Sequence, residues 1–141
     1  MPRADFYLIQ KPRFREEPLR LVCELARKAF DAGIPTLVLA RDNAQAEAID
    51  DLMWSFDPDE YLPHQIAGLD EGDDETPILI ATPDMDIPAR PMLLNLRDAA
   101  PSGSFDRGLE VVPADPSARG PLRERWKHYQ SLGFEVNKHD M

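Results

Sequence analysis

Apolar positions in this chain fall into short continuous runs separated by stretches of helical period. Phe6-Tyr7-Leu8-Ile9 is the first run and reads as a strand. Lys11 to Glu17 is polar, contains Pro12, and reads as a loop. Pro18 then opens a helix with Leu19, Val22, Cys23, Ala26 and Phe30 on one face and Arg20, Glu24, Arg27 and Lys28 on the other. Gly33 ends it. Thr36-Leu37-Val38-Leu39-Ala40 is apolar nearly throughout, as a strand covered on both faces of a parallel sheet must be. Asp42 or Asn43 caps a second long helix with apolar positions Ala46, Ile49, Leu52, Met53 and Phe56. Strand, helix, strand, helix predicts an α/β layered domain.

The stretch Trp54–Gly68 breaks this rhythm. It reads as irregular yet carries Trp, Phe, Tyr, Leu and Ile, more apolar matter than a solvated loop holds. Two readings stay open: it folds down over the sheet, or part of it is a partner surface. Asp70 to Glu75 holds five acids in six residues but lacks the spaced oxygen ligands of a calcium loop, so it reads as a solvated acidic loop. Ile78-Leu79-Ile80-Ala81 is another buried run, and Pro83, Pro88 and Pro91 make the next segment a loop. Met92–Leu96 and Gly108–Val112 read as two further strands joined by a loose Arg97–Arg107 connection. Glu135 to Met141 reads as a tail.

A last helix precedes that tail. Leu122, Trp126 and Tyr129 recur at the spacings of one helix face, with Leu132 continuing it. Gly133 stands where a left-handed C-cap is expected, with Phe134 packing back on the last turn. Pro121 fits only a first turn, so the helix starts between about Ser117 and Pro121. Charge changes the picture here. Residues 117–130 contain four Arg or Lys and one Glu, a local +3 on a chain of −10. With a start near Ser117, Arg119, Arg123 and Lys127 form one stripe beside the Leu122/Trp126 face. A groove there suits an acidic peptide with an apolar end; the plainer alternative is an amphipathic helix with a solvated basic face and Trp126 in the core.

Length and charge narrow the classes. A chain of 141 residues is long enough to fold as one domain, 1–141, without disulfides or a metal. The −13 outside the last helix argues against direct nucleic-acid binding, because phosphates would be repelled from most of the surface. No apolar run spans a membrane and the N-terminus is not a signal peptide, which predicts a cytoplasmic protein. The lone Cys23 sits in an apolar helical setting and reads as a core residue rather than a reactive thiol.

Catalytic chemistry is poorly supplied. The seven glycines form neither G-x-G-x-x-G after the first strand nor a phosphate loop, and Gln10-Lys11-Pro12 stands there instead. The three histidines and one cysteine make no metal pattern. His64 reads as a hydrogen-bonded loop residue, His128 as exposed, and no serine sits in a nucleophile elbow. A small nucleotide-binding enzyme on a Rossmann-like scaffold remains the alternative from another class.

The order of several motifs carries more than any one of them. Phe6-Tyr7-Leu8, Leu21-Val22-Cys23-Glu24-Leu25-Ala26, Leu52-Met53-Trp54, Tyr61-Leu62-Pro63-His64-Gln65-Ile66-Ala67-Gly68, Val111-Val112-Pro113, Arg123-Glu124-Arg125-Trp126-Lys127-His128-Tyr129 and Gly133-Phe134 follow one another along the chain. In this it resembles the chi subunit of the bacterial DNA polymerase III holoenzyme over essentially its full length. The resemblance implies a three-layer, Rossmann-like α/β domain with a mostly parallel sheet, no cofactor and no catalysis of its own. It implies two partners: the psi subunit of the clamp loader, and the acidic C-terminal tail of single-stranded-DNA-binding protein. Carried over, the tail-binding positions are Val112, Arg119, Arg123, Trp126 and Lys127. Psi, or a repair helicase on the same surface, falls to Trp54 and Tyr61. Trp126 stands where a tyrosine is familiar and Gln130 where a further basic residue is, which implies weaker or less salt-sensitive tail binding.

Overall fold

The computed structural model describes residues 2–56, 62–68, 72, 75–101 and 103–141. In chain order these form β1 (Arg3–Leu8), α1 (Pro12–Glu16), α2 (Pro18–Asp31), β2 (Thr36–Leu39), α3 (Asn43–Phe56), β3 (His64–Ile66), β4 (Ile78–Ala81) and β5 (Met92–Asn95). Then come β6 (Arg107–Val112), a single 3₁₀ turn at Pro116–Ala118, α4 (Arg119–Ser131) and β7 (Glu135–Asp140). The strands make one sheet in the order β3-β4-β2-β5-β6-β1-β7, and every neighbouring pair is parallel. That is the expected α/β class, with the sheet wholly rather than mostly parallel.

Because β2, β4 and β5 are buried along their whole length, their residues serve two cores at once. On one face, Val38, Ile80 and Leu94 pack against Leu21, Val22 and Ala26 of α2 and Ile49 and Met53 of α3. On the other, Leu37, Leu79, Leu93 and Phe6 share a core with Tyr129 of α4, with Leu122, Trp126 and the 83–91 loop residues Met85 and Ile87 at the margin. Each fully buried side chain of this size contributes about 1.5–3 kcal/mol. Cys23 is buried in the first core, where burial pushes its thiol up to about 12. Asp42 is the cap of α3, its carboxylate accepting from the Gln45 N–H at 2.8 Å.

Three sequence expectations need correction. The supposed loop at Lys11–Glu17 contains α1, started by Pro12 and held by buried Phe14. The supposedly irregular Trp54–Gly68 stretch has Trp54 on α3 and a three-residue strand, β3, at the sheet edge. The Glu135–Met141 tail is β7, paired in parallel with β1 along its whole length. Its sequence, Glu-Val-Asn-Lys-His-Asp, is too polar to show as a strand. Polar side chains suit an edge strand because they discourage pairing with another chain. Of the acidic run Asp70–Glu75, only Gly72 and Glu75 are among the described residues.

Two arginines staple the strand ends. Arg90 Nη1 donates to Thr76 O (2.6 Å), Thr36 O and Pro77 O (both 3.2 Å) where β2 and β4 begin. Arg97 donates to Ala40 O (2.9 Å) and Ala81 O (3.1 Å) where they finish. A third polar cluster ties β7 down. Asp5 of β1 accepts from Arg3 and Arg107, each at 2.9 Å, and pairs with His139 of β7 at 2.9 Å.

Burial would raise the Asp5 carboxyl, but the hydrogen bonds from Arg3, His139 and Arg107 together hold it below its ordinary value of 3.8. A depressed carboxyl stabilises the fold above that ordinary value, and the contribution is lost as pH falls through the folded one. Asp5→Asn therefore destabilises the protein at pH 7 by about 1–3 kcal/mol, discounted because the three partners are partly exposed. In urea titrations the gap between wild type and variant closes as pH is lowered below about 4.

Candidate functional site

Helix α4 lies against the second sheet face and is held by a buried polar knot. Glu110 of β6 is completely buried. The Tyr129 hydroxyl donates to it at 2.7 Å and Asn95 Nδ2 at 3.0 Å, and Arg125 Nε forms an ion pair with it at 2.8 Å. Arg125 Nη1 also donates to Asp98 O at 2.9 Å. Gly108 makes this approach possible: a Cβ there would stand 3.0 Å from the Tyr129 oxygen and 3.2 Å from the Phe105 ring. Beyond the helix, Gly133 takes φ of +81°, the Gly133 N–H donates to Gln130 O and the Phe134 N–H to Tyr129 O. Phe134 then packs on Tyr129 at 5.3 Å, as the sequence predicts.

With its inner face fixed, α4 presents a cleft of about 390 Å³ at the carboxyl ends of β1 and β6. Leu8, Ile9, Val112 and Leu122 supply its apolar wall, and Arg119 and Arg123, both exposed, its rim. One acid borders it. Asp115 is turned towards its own backbone, accepting from the Ser117 N–H at 2.9 Å, and that bond holds its carboxyl below the ordinary range.

Three of the five carried-over positions, Val112, Arg119 and Arg123, thus meet in one cleft. Trp126 and Lys127 lie one turn further along α4. Trp126 is half-buried with its ring 5.1 Å from Phe6, neither wholly in the core nor free of it. Lys127 and Gln130 are exposed. Arg125 is the residue that sequence reasoning missed: one of the four cations counted on this helix is buried and matched by Glu110. Leu132, expected to continue the apolar face, is 55% exposed because it follows the last helical residue.

The other anticipated surface is on α3. Trp54 is 58% exposed and packs its ring 5.0 Å from His64. His64 is buried, with Nδ1 2.6 Å from Leu62 O and Nε2 3.1 Å from Asp50 Oδ1. Tyr61, the second residue expected there, lies outside the described residues.

The family model described as DNA polymerase III chi subunit, HolC, matches residues 1–137. The chain belongs to this family. It is similar to the DNA polymerase III subunit chi of Pseudomonas aeruginosa, at 32% identity with 99% of this chain and 96% of that one covered. It is also similar to the Escherichia coli subunit chi, at 30% identity with 97% of each covered. The chi family makes it an accessory subunit of DNA polymerase III, in DNA replication. Among solved structures, the C-terminal domain of S. cerevisiae Dbp5 bound to Gle1 and IP6 matches with a TM-score of 0.63 at 13% identity, covering 99% of this chain and 90% of that one. A longer S. cerevisiae Dbp5 chain matches with a TM-score of 0.62 at 13% identity, and this chain spans 41% of its length. At that identity the likeness is one of fold.

At the strand carboxyl ends, where parallel sheets commonly receive ligands, donors at three of the described strands are used internally. The Gln10 and Lys11 N–H groups, at the turn after β1, both donate to Met141 O. Arg97, at the ends of β2 and β4, is taken up by Ala40 O and Ala81 O. Among the described residues no group of three or more His, Cys, Asp or Glu is placed to hold a metal ion, and no helix is long and apolar enough to cross a membrane.

Burial pushes the Glu110 carboxyl up to about 7, against the pull of Arg125, Tyr129 and Asn95. An acid raised in the folded state loses stability for the protein as pH rises, here between the ordinary 4.5 and about 7. Arg125→Met removes the nearest cation and strands the carboxylate. The expected cost is about 3–5 kcal/mol at pH 8 and much less at pH 5, where the acid protonates. Glu110→Gln in the same chain restores most of the loss, which urea titrations of the single and double variants at both pH values measure.

Proposed function

We propose that this chi-family protein is a non-catalytic cytoplasmic adaptor, with the chemistry of DNA polymerase III carried by another subunit. The α4 cleft takes the acidic C-terminal tail of single-stranded-DNA-binding protein. The apolar last residue of the tail lies on Val112 and Leu122, and Arg119 and Arg123 donate charge-assisted hydrogen bonds to its carboxylates. Trp126 and Lys127 extend the contact along the helix. The observation that carries this reading is the cleft itself: two exposed guanidiniums over an apolar wall, on a chain of net charge −10.

The Trp54 surface, with Tyr61, takes the psi subunit of the clamp loader or a repair helicase. A large exposed aromatic seated on a buried histidine is the kind of anchor that protein interfaces use. Holding the clamp loader and the coated template together raises the local concentration of the polymerase machinery without direct contact to DNA.

Fluorescence-anisotropy titration of a labelled acidic peptide with an apolar C-terminal residue and a free carboxylate tests the cleft. Arg123→Ala weakens binding at least about tenfold, the range of one charge-assisted hydrogen bond, with an unchanged melting temperature because Arg123 is exposed. Raising the salt weakens the wild type more than the variant. Unfolding of Arg123→Ala would make the residue structural and misplace the groove.

A further inference from the structure

Basic and acidic residues are segregated along this chain. Residues 1–30 carry seven Lys or Arg against four acids, and residues 117–130 carry four against one, while residues 31–116 carry four against nineteen. The fold brings part of each basic segment to the carboxyl end of β1. Residues 117–130 form the α4 rim on one sheet face. On the other face a second cleft, of about 300 Å³, opens between β1, α1 and α2.

Tyr7, Phe14, Leu25 and Met141 give this second cleft an apolar floor, and Lys11 and Lys28 stand at its edge. Arg13 and Glu24 also border it but are spent on each other, at 2.7 and 2.9 Å. Lys11 and Lys28 are exposed and form no ion pair among the described residues. Only the strand end Leu8–Lys11 separates the two clefts: Leu8, Ile9 and Gln10 border the first, Tyr7 and Lys11 the second.

We infer that the second cleft binds the acidic stretch lying upstream of the apolar end in the same partner polypeptide. The inference rests on the docking reading above. With its last residue in the α4 cleft, the peptide runs over the end of β1 and lays its carboxylates against Lys11 and Lys28. Adjacent layers of a fold lie about 10 Å apart, so passing from one face to the other takes on the order of 20 Å, about six residues of extended chain. A short acidic peptide reaches only the first cleft and a longer one reaches both. Charge complementarity selects the occupant, since the cleft is a local excess of cations on a strongly acidic protein.

The test compares two labelled peptides sharing the same apolar C-terminal residue, one of about four residues and one of about twelve, with acidic residues throughout. Lys11→Gln/Lys28→Gln is expected to weaken the long peptide about three- to tenfold, as two exposed ion pairs allow, and to leave the short one unchanged. Arg123→Ala weakens both. If the double variant binds the long peptide as wild type does, the second cleft is not part of the site, while the docking reading stands. Absence of binding by either peptide overturns the docking reading and this inference with it. Binding of a labelled single-stranded oligonucleotide that the same double variant abolishes would assign the cleft to phosphates and overturn the inference.

Discussion

A carboxylate with no access to water, Glu110, decides how the outward half of this protein is arranged. A buried acid is tolerated only where donors surround it, and the donors here come from β5, in Asn95, and from α4, in Arg125 and Tyr129. Apolar packing alone would let α4 slide along the sheet at little cost. A planar guanidinium and a phenol that must both meet one carboxylate allow a single register. Gly108 completes the constraint, because any side chain there would push the Tyr129 oxygen away. The position of Arg119 and Arg123 over Val112 follows from these contacts elsewhere on the same helix.

The same economy holds at the carboxyl ends of the strands. In a parallel sheet the strand carboxyl ends and the turns after them present free amides and carbonyls, which is why ligands collect there. At the ends of β1, β2 and β4 this chain satisfies such groups from within. Met141 takes the amides after β1, and Arg97 takes the carbonyls after β2 and β4. What remains open at the end of β1 is side chain rather than backbone: two clefts with apolar walls and cationic edges. Side chains of that kind suit a flexible acidic peptide better than a phosphate that needs a ring of amides.

How legible was this in the sequence? The central strands were plain, because a strand buried on both faces has no polar alternation to confuse it, and Thr36–Leu39 and Ile78–Ala81 stand where the apolar runs put them. The helix ends were plain too, since Pro18 and Gly33 each have one low-energy place there, and the cap left open between Asp42 and Asn43 falls to Asp42. The edges were not. β7 is polar, β3 has three residues, and α1 is a single turn organised by Phe14, so tertiary contact rather than local pattern creates them. Within the site, the exposed stripe was readable from spacing. The withdrawal of Arg125 was not, because nothing local distinguishes it from Arg123; its partner lies on β6, and only the fold brings them together.

The division of labour on α4 follows from helix geometry. At about 100° per residue, Arg123 sits about 40° round from Arg119 and Lys127 about 80°. Trp126 lies about 20° to the other side, Leu122 about 60°, Tyr129 about 80° and Arg125 about 120°. Burial follows this order, from exposed Lys127, Arg123 and Arg119 through half-buried Trp126 and Leu122 to buried Tyr129 and Arg125. A spacing of four residues therefore makes a stripe that winds away from the sheet, which is why Arg119 and Arg123 border the cleft while Lys127 does not. The residues that fix the helix and those left exposed occupy different arcs of one cylinder. Substitutions on the outer arc, such as Gln130 where the family resemblance implies a basic residue, can change affinity for an acidic partner without disturbing the Glu110 knot that holds the helix in place.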